Sequence, residues 1–360
     1  GFGVALRPGT VVGPDSNGEG RRAGIIGAPM TRDGAAGPGE APLLTVRSLS
    51  IAFGETLVVD GISFDVARGE IVALVGESGS GKTVTALSLL DLVPEPGRRA
   101  GGEVVFEGRD VSTLPPAELR RLRGGGIGFV FQEPGEALDP VRTIGSELVA
   151  VLRRHRGLAR IEARREALAW LSRVSLPEPE ARMEDLPHRM SGGMRQRAMI
   201  ALALAGGPRL LVADEPTTAL DVTIQAQLLD LLRRLRDELG LAVLLVTHDL
   251  DVVAEAADRA LVMYAGEIVE EGPVSRLLDS PAHPYTKALL ASRPMAGRGA
   301  ERRPLRAIEG SAAVPGAWPP GCRFAPRCPV VFDRCEGERP RLTPVAGGRA
   351  ACHLAGRDGT

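Results

Sequence analysis

The sequence predicts an α/β chain built around a mostly parallel sheet with helices on both faces. Three observations predict it. Short apolar runs of strand length alternate with longer helical patterns from residue 43 onward. A glycine-rich loop joins one such apolar run to a helical one. A stretch of helical periodicity, from 133 to about 190, separates two of the strands.

The apolar runs fall at 44–46, 71–75, 127–131, 210–213 and 242–246. Strands alternating with helices in this way imply parallel pairing through helical crossovers. Within 133–190, apolar positions at Ile144, Leu148, Val151 and Leu152, then Ala167, Leu168 and Leu171, mark a helical insertion. Residues 1–42 are rich in Gly, Pro and Ala without periodicity and read as disordered, with Met30 a candidate translation start. Beyond 293 the chain turns Pro-, Gly- and Arg-rich and carries all four cysteines, which reads as a separate appendage.

Composition bounds the function. With 360 residues, 44% of them hydrophobic, the chain can bury one large core with additions. A formal net charge of -1 argues against a nucleic-acid binder, which would carry a basic excess. The basic stretch 153–165 reads as a solvated helix face. No apolar run is long enough to span a bilayer, and no secretory signal is visible. A cytoplasmic location with reduced thiols is expected. Only Lys82 and Lys287 are lysine, so the position of Lys82 carries information.

Lys82 closes the segment Gly76-Glu77-Ser78-Gly79-Ser80-Gly81-Lys82-Thr83. Two glycines around four residues, followed by Lys-Thr, form the phosphate-loop pattern. The glycines let successive N–H groups turn inward toward phosphate oxygens, and the following helix adds its N-terminal dipole. Lys82 is expected on the β- and γ-phosphates, and Thr83 on Mg²⁺. A chance match in a chain this long has odds on the order of 1%. A second signal is Leu210-Leu211-Val212-Ala213-Asp214-Glu215. Two carboxylates at the end of a buried strand are costly unless they meet a cation or do chemistry. Asp214 suits Mg²⁺, and Glu215 suits a general base for an attacking water. A third element, Met190-Ser191-Gly192-Gly193-Met194, precedes a helical run and forms a second anion site.

The order of these pieces resembles the nucleotide-binding domain of ABC transporters over 43–292. The resemblance implies ATP and Mg²⁺ as ligands, an antiparallel β portion near the N-terminus, and a helical subdomain at about 133–190. It implies that Ser191, Gly192 and Gly193 close over ATP held by a second subunit. Gln132 matches the glutamine that contacts Mg²⁺ and the water. Ala219-Leu220-Asp221 matches the loop that crosses the dimer interface, and His248 the switch histidine on the γ-phosphate. Phe53 sits where the family places an aromatic on adenine. Met190 stands where the family usually has Leu, and Met194 where Gln is common; Met at the latter position resembles the oligopeptide and dipeptide importers.

The tail narrows the resemblance to that group. His283-Pro284-Tyr285-Thr286-Lys287-Ala288-Leu289-Leu290 and Gly321-Cys322-Arg323-Phe324-Ala325-Pro326-Arg327-Cys328-Pro329 resemble the segments that follow the ATPase core in peptide and nickel importer subunits. The implied partners are a second ATPase subunit, two membrane-spanning permeases and a solute-binding receptor, at the cytoplasmic face of the membrane. Peptides are the implied cargo, with nickel or another small solute as the alternative. A non-transport ABC ATPase fits less well, because the chain shows one cassette and no sustained heptads. The spacing of Cys322, Cys328, Cys335 and Cys352 lacks the close Cys-x-x-Cys pairs of structural zinc and the standard ferredoxin patterns. Unligated thiols and zinc stay open on spacing alone; the resemblance implies a [4Fe–4S] cluster within the 293–360 extension.

Overall fold

The structure is a computed structural model and describes residues 41–218, 220–293 and 308–355. The disordered reading of 1–42 and the candidate start at Met30 fall almost wholly outside these residues, as does Ala219.

Among the described residues, twelve strands form two sheets. β1 (Leu44–Phe53), β2 (Thr56–Val66), β4 (Gly97–Phe106) and β5 (Arg109–Asp110) make an antiparallel sheet in the order β2-β1-β4-β5. The larger sheet contains β3 (Ile71–Val75), β6 (Ile127–Val130), β7 (Leu210–Asp214), β8 (Ala242–Thr247), β9 (Arg259–Tyr264), β10 (Glu267–Pro273), β11 (Thr343–Val345) and β12 (Gly348–Ala350). Its order is β11-β12-β10-β9-β3-β8-β7-β6. The five strands from β9 to β6 are parallel, and β10, β12 and β11 add antiparallel.

The central parallel strands β3, β7 and β8 are buried along their whole length, as crossover helices on both faces require. Their side chains alternate between two cores. Leu210 and Val212 join Leu244, Val246 and the antiparallel sheet on one side. Leu211 and Ala213 join Val243, Leu245 and the helical layer on the other. Each such buried aliphatic side chain stabilises by about 1.5–3 kcal/mol.

That helical layer holds Ile144–Arg156, Arg160–Arg173, Gly192–Ala205 and Val222–Leu239. Local chemistry sets the ends of these helices. Thr143, Ser191 and Asp221 cap three N-termini by accepting from the amides of Ser146, Met194 and Ile224. Gly157 and Gly240 end two of the helices in the left-handed conformation.

The cysteine-bearing segment is not detached in space. β12 pairs with β10, and the Ala351 amide donates to the Val269 carbonyl at 2.8 Å. Phe324 is fully buried against Tyr264 and Tyr285, with ring centroids 5.3 and 5.4 Å away. A Pro-rich segment with few apolar residues gains its core by borrowing one from the ATPase-like unit.

Candidate functional site

Four loops at the C-terminal ends of β3, β6, β7 and β8 converge, as ligand sites do in open α/β sheets. The first runs from Gly76 to the helix Lys82–Ser88. Gly76 passes under the backbone of Met263, so a side chain there would stand 2.0 Å from the Met263 carbonyl oxygen. Gly81 caps the helix at φ 102, a conformation that L side chains rarely adopt.

Lys82 is buried, and its Nζ donates to the carbonyls of Gly76 at 2.8 Å and Glu77 at 3.0 Å. The ammonium is folded back onto its own loop. Burial pushes its pKa down against the pull of Glu215, Asp214 and Glu77. Ser80 is buried too, and its Oγ has no hydrogen-bond partner. An orphaned hydroxyl beside a lysine ammonium in a glycine-rich loop is a donor set that suits a polyphosphate. Ser78 and Gly79 form the outer, exposed part of the turn.

β7 delivers the carboxylates. Asp214 is buried, and Thr83 donates to its Oδ1 at 3.3 Å. Burial pushes Asp214 up to about 6 despite that hydrogen bond. A hydroxyl and an acidic oxygen side by side, next to the phosphate loop, fit a hydrated Mg²⁺ ion. Glu215 follows with φ 46, a left-handed conformation rare for a non-glycine residue. Its carboxylate is shared by three partners. Gln132 Nε2 donates to Oε2 at 3.2 Å, Thr218 Oγ1 donates to the same oxygen at 2.9 Å, and His248 Nδ1 lies 3.1 Å from Oε1. Gln132 comes from the end of β6 and His248 from the end of β8.

The second glycine-rich element lies elsewhere on the chain. Ser191 caps the helix Gly192–Ala205, and its neighbour Gly193 faces Ile224 in the first turn of the Asp221-capped helix. Phe53 ends β1, partly buried beside Gly97. The structure thus brings Lys82, Thr83, Asp214, Gln132, Glu215 and His248 together, and groups Ser191–Gly193 with Asp221. Thr218 was not read from the sequence. It follows the Asp-Glu pair by three residues, the only signal that marks it.

The four cysteines line one small cavity together with His283, Phe324 and His353. Burial pushes Cys322 up to about 11 and raises Cys328, with the neighbouring thiols adding to both. Among the described residues, however, no three His, Cys, Asp or Glu side chains are placed to hold a metal ion. His353 is turned to the Glu338 carbonyl at 2.9 Å. The expected iron–sulfur or zinc site therefore finds no support in metal-ready geometry: the thiols gather without converging.

Comparison with known proteins decides the family. Residues 59–218 match the ABC transporter profile, and 269–335 match the oligopeptide/dipeptide transporter C-terminal region. The chain is 46% identical over 303 residues to the oligopeptide transport ATP-binding protein AppD of Bacillus subtilis (strain 168), covering 84% of this chain and 92% of AppD. It belongs to the ABC transporter family. It is also 44% identical over 318 residues to the dipeptide transport ATP-binding protein DppD of Escherichia coli (strain K12), covering 86% and 96%. Among solved structures, the ATP-binding cassette MJ0796, a dimer in a post-hydrolysis state with ADP and Pi, superposes with a TM-score of 0.57 at 30% identity. The overlap covers 64% of this chain and 98% of that cassette. This chain accordingly has the fold of an ABC ATPase and is an ATPase of that family. Among its described residues no helix is long and apolar enough to cross a membrane.

Proposed function

We propose that this chain is the ATP-hydrolysing subunit of a peptide importer and that Glu215 is its general base. The observation that carries this reading is the triply held Glu215 carboxylate beside the Thr83–Asp214 pair. Lys82, Ser80 and the loop amides take the polyphosphate, with Lys82 exchanging two backbone carbonyls for phosphate oxygens. Thr83, Asp214 and Gln132 hold Mg²⁺, which supplies charge neutralisation on the phosphates. Glu215 then takes a proton on its carboxylate from the attacking water, while Gln132 and His248 fix its orientation. Phe53 stacks on adenine.

Ser191, Gly192 and Gly193 act on the nucleotide of a second ATPase subunit, and Asp221 lies on the same dimer interface. Their grouping with the Asp221-capped helix supports a separate surface. ATP-driven closure of that dimer moves two permease subunits at the cytoplasmic membrane face, fed by a solute receptor. The AppD and DppD names support peptides as cargo. Nickel or another small solute is the alternative. The test is isolation of the complex through this chain and analysis of what the co-purifying receptor carries. A receptor loaded with peptides sustains the reading, and one loaded with nickel replaces it.

The cysteine quartet enters the reading as a structural [4Fe–4S] site. A zinc ion needs all four sulfurs within ~2.3 Å of one point. A cluster gives each thiolate its own iron and demands less convergence. The resemblance of the cysteine-bearing segment to that of the peptide importers carries that choice. Iron and sulfide analysis of anaerobically isolated protein tests it.

A further inference from the structure

Glu77, the second residue of the phosphate loop, has all three of its polar groups engaged. Arg327 grips the carboxylate with both arms, Nη1 to Oε2 at 2.7 Å and Nη2 to Oε1 at 3.1 Å. The backbone N–H donates to the Tyr285 hydroxyl at 2.9 Å. The carbonyl accepts from Lys82 at 3.0 Å. Two of these partners come from the far end of the chain, more than 200 residues away in sequence.

Those partners are themselves fixed. The Arg327 side chain is buried; its Nε donates to the Glu309 carbonyl at 2.9 Å and its Nη2 to the Ile308 carbonyl at 3.2 Å. Its guanidinium lies 5.8 Å from the Tyr264 ring centre. Tyr285 is fully buried against Tyr264, with ring centres 4.6 Å apart. A two-armed guanidinium–carboxylate pair is a directional contact, not a loose surface charge.

A glutamate here poses an electrostatic problem. It places a negative charge on the loop that receives a polyphosphate, close enough for the Lys82 ammonium to feel it. Left alone, that carboxylate would repel the ligand and compete for Lys82.

We propose that Arg327 is a positioning residue of the nucleotide site: it cancels the Glu77 charge and, with Tyr285, fixes the loop so that it accepts a polyphosphate. The C-terminal segment is then part of the ATP site and not a module beside it. This deepens the ATP-site reading and rests on it.

The experiment uses the full chain, with ATP and Mg²⁺ as the titrant and folding checked by circular dichroism. Arg327→Ala weakens ATP binding and raises KM on the order of tenfold or more, with a smaller change in kcat. The loss is greater for ATP than for ADP and shrinks at high salt, where charge repulsion is screened. Adding Glu77→Gln to Arg327→Ala restores a large part of the affinity, because the repelling charge is gone. A purely structural Arg327 predicts the opposite, a double variant at least as weak as the single one, and that result overturns the proposal. Unchanged ATP affinity in Arg327→Ala overturns it as well. If Arg327→Ala does not fold, Arg327→Lys keeps a charge but loses the fork. It must then show a weaker, salt-sensitive version of the same loss, and wild-type affinity in it counts against the proposal. A wild-type chain that fails to bind ATP sinks the site assignment itself, which keeps the two failures distinct.

Discussion

Gln132 and His248 hold Glu215 from opposite sides, one on each carboxylate oxygen, at 3.2 and 3.1 Å. The three residues come from the ends of β6, β8 and β7, so the sheet itself sets their spacing. An amide at the same position keeps the shape but cannot take a proton.

Glu215→Gln is therefore expected to keep ATP binding and lose turnover by about 10²–10⁴. It should also accumulate an ATP-bound dimer. Lys82→Ala, in contrast, removes the cation that reaches the phosphates and should weaken binding itself. Nucleotide titration beside phosphate-release kinetics separates the two, and near-normal hydrolysis by Glu215→Gln would remove the base from its assigned role.

Gly193→Asp tests the second loop. A carboxylate placed where a partner subunit's γ-phosphate must sit repels it in a closed site. The nearest obstacle to the new side chain is the Cγ2 methyl of Ile224, 2.9 Å from where a Cβ would stand, so that β-branched side chain must shift to admit it. The variant chain should bind ATP as a monomer with wild-type affinity yet fail to form the closed dimer, as read by light scattering with ATP. A sharp fall in monomer affinity would instead put the loop in its own chain's pocket.

Much of the candidate site was legible in the sequence because its residues sit in short, ordered motifs. The run from Gly76 to Thr83 and the Asp214–Glu215 pair each follow an apolar strand, and a strand end fixes direction as well as place. Contacts that join distant segments were not legible. Nothing in the spacing of Arg327 or Tyr285 points to Glu77, since one arginine among many carries no address. The tail was misread in space for a related reason. Its composition is too poor for a core of its own, but composition does not reveal that Phe324 packs against both Tyr264 and Tyr285 or that β12 extends the main sheet. Ser191–Gly193 show a further limit: the role proposed for them on a second chain would leave no geometric trace in their own.

His283 gives the tail junction a pH signature. The ring is fully buried, Nδ1 accepts from the Tyr285 amide at 3.0 Å, and burial pushes its pKa down to about 3. The unfolded chain takes up a proton below about 6.5, while the folded chain stays neutral. Stability is thus full above that pH and is lost as pH falls toward 3. At pH 5 the loss is about 2 kcal/mol from this group. His283→Asn keeps an acceptor for the Tyr285 amide without a titrating ring. Urea unfolding at pH 7.5 and 5 should show a smaller pH-dependent drop in the variant than in the wild type. Equal drops would mean that His283 does not couple to folding.

The cysteines pose the last question, and metal analysis answers it. Buried thiols pushed up toward 11, as Cys322 is, stay protonated and inert at neutral pH unless a metal displaces the proton. Each of the three readings of Cys322, Cys328, Cys335 and Cys352 has its own signature. A [4Fe–4S] cluster should give a brown protein after anaerobic isolation, with broad absorbance at roughly 400 nm and about four irons per chain. Zinc should give a colourless protein with about one ion per chain, and would require the four sulfurs to draw together from their places around the cavity. Unligated thiols should leave the protein free of both metals and open to slow alkylation, with Cys322 resistant because burial raises its pKa and Cys335 because its side chain is buried. Because Arg327 directly precedes Cys328, loss of a ligated metal should also loosen the turn Ala325–Arg327 and with it the grip on Glu77. The iron–sulfur reading therefore carries a second consequence: stripping the iron should weaken ATP binding in the wild type and change it far less in Arg327→Ala, where that grip is already gone. Metal-stripped protein with unaltered ATP affinity would show that the cysteines and the nucleotide site do not communicate.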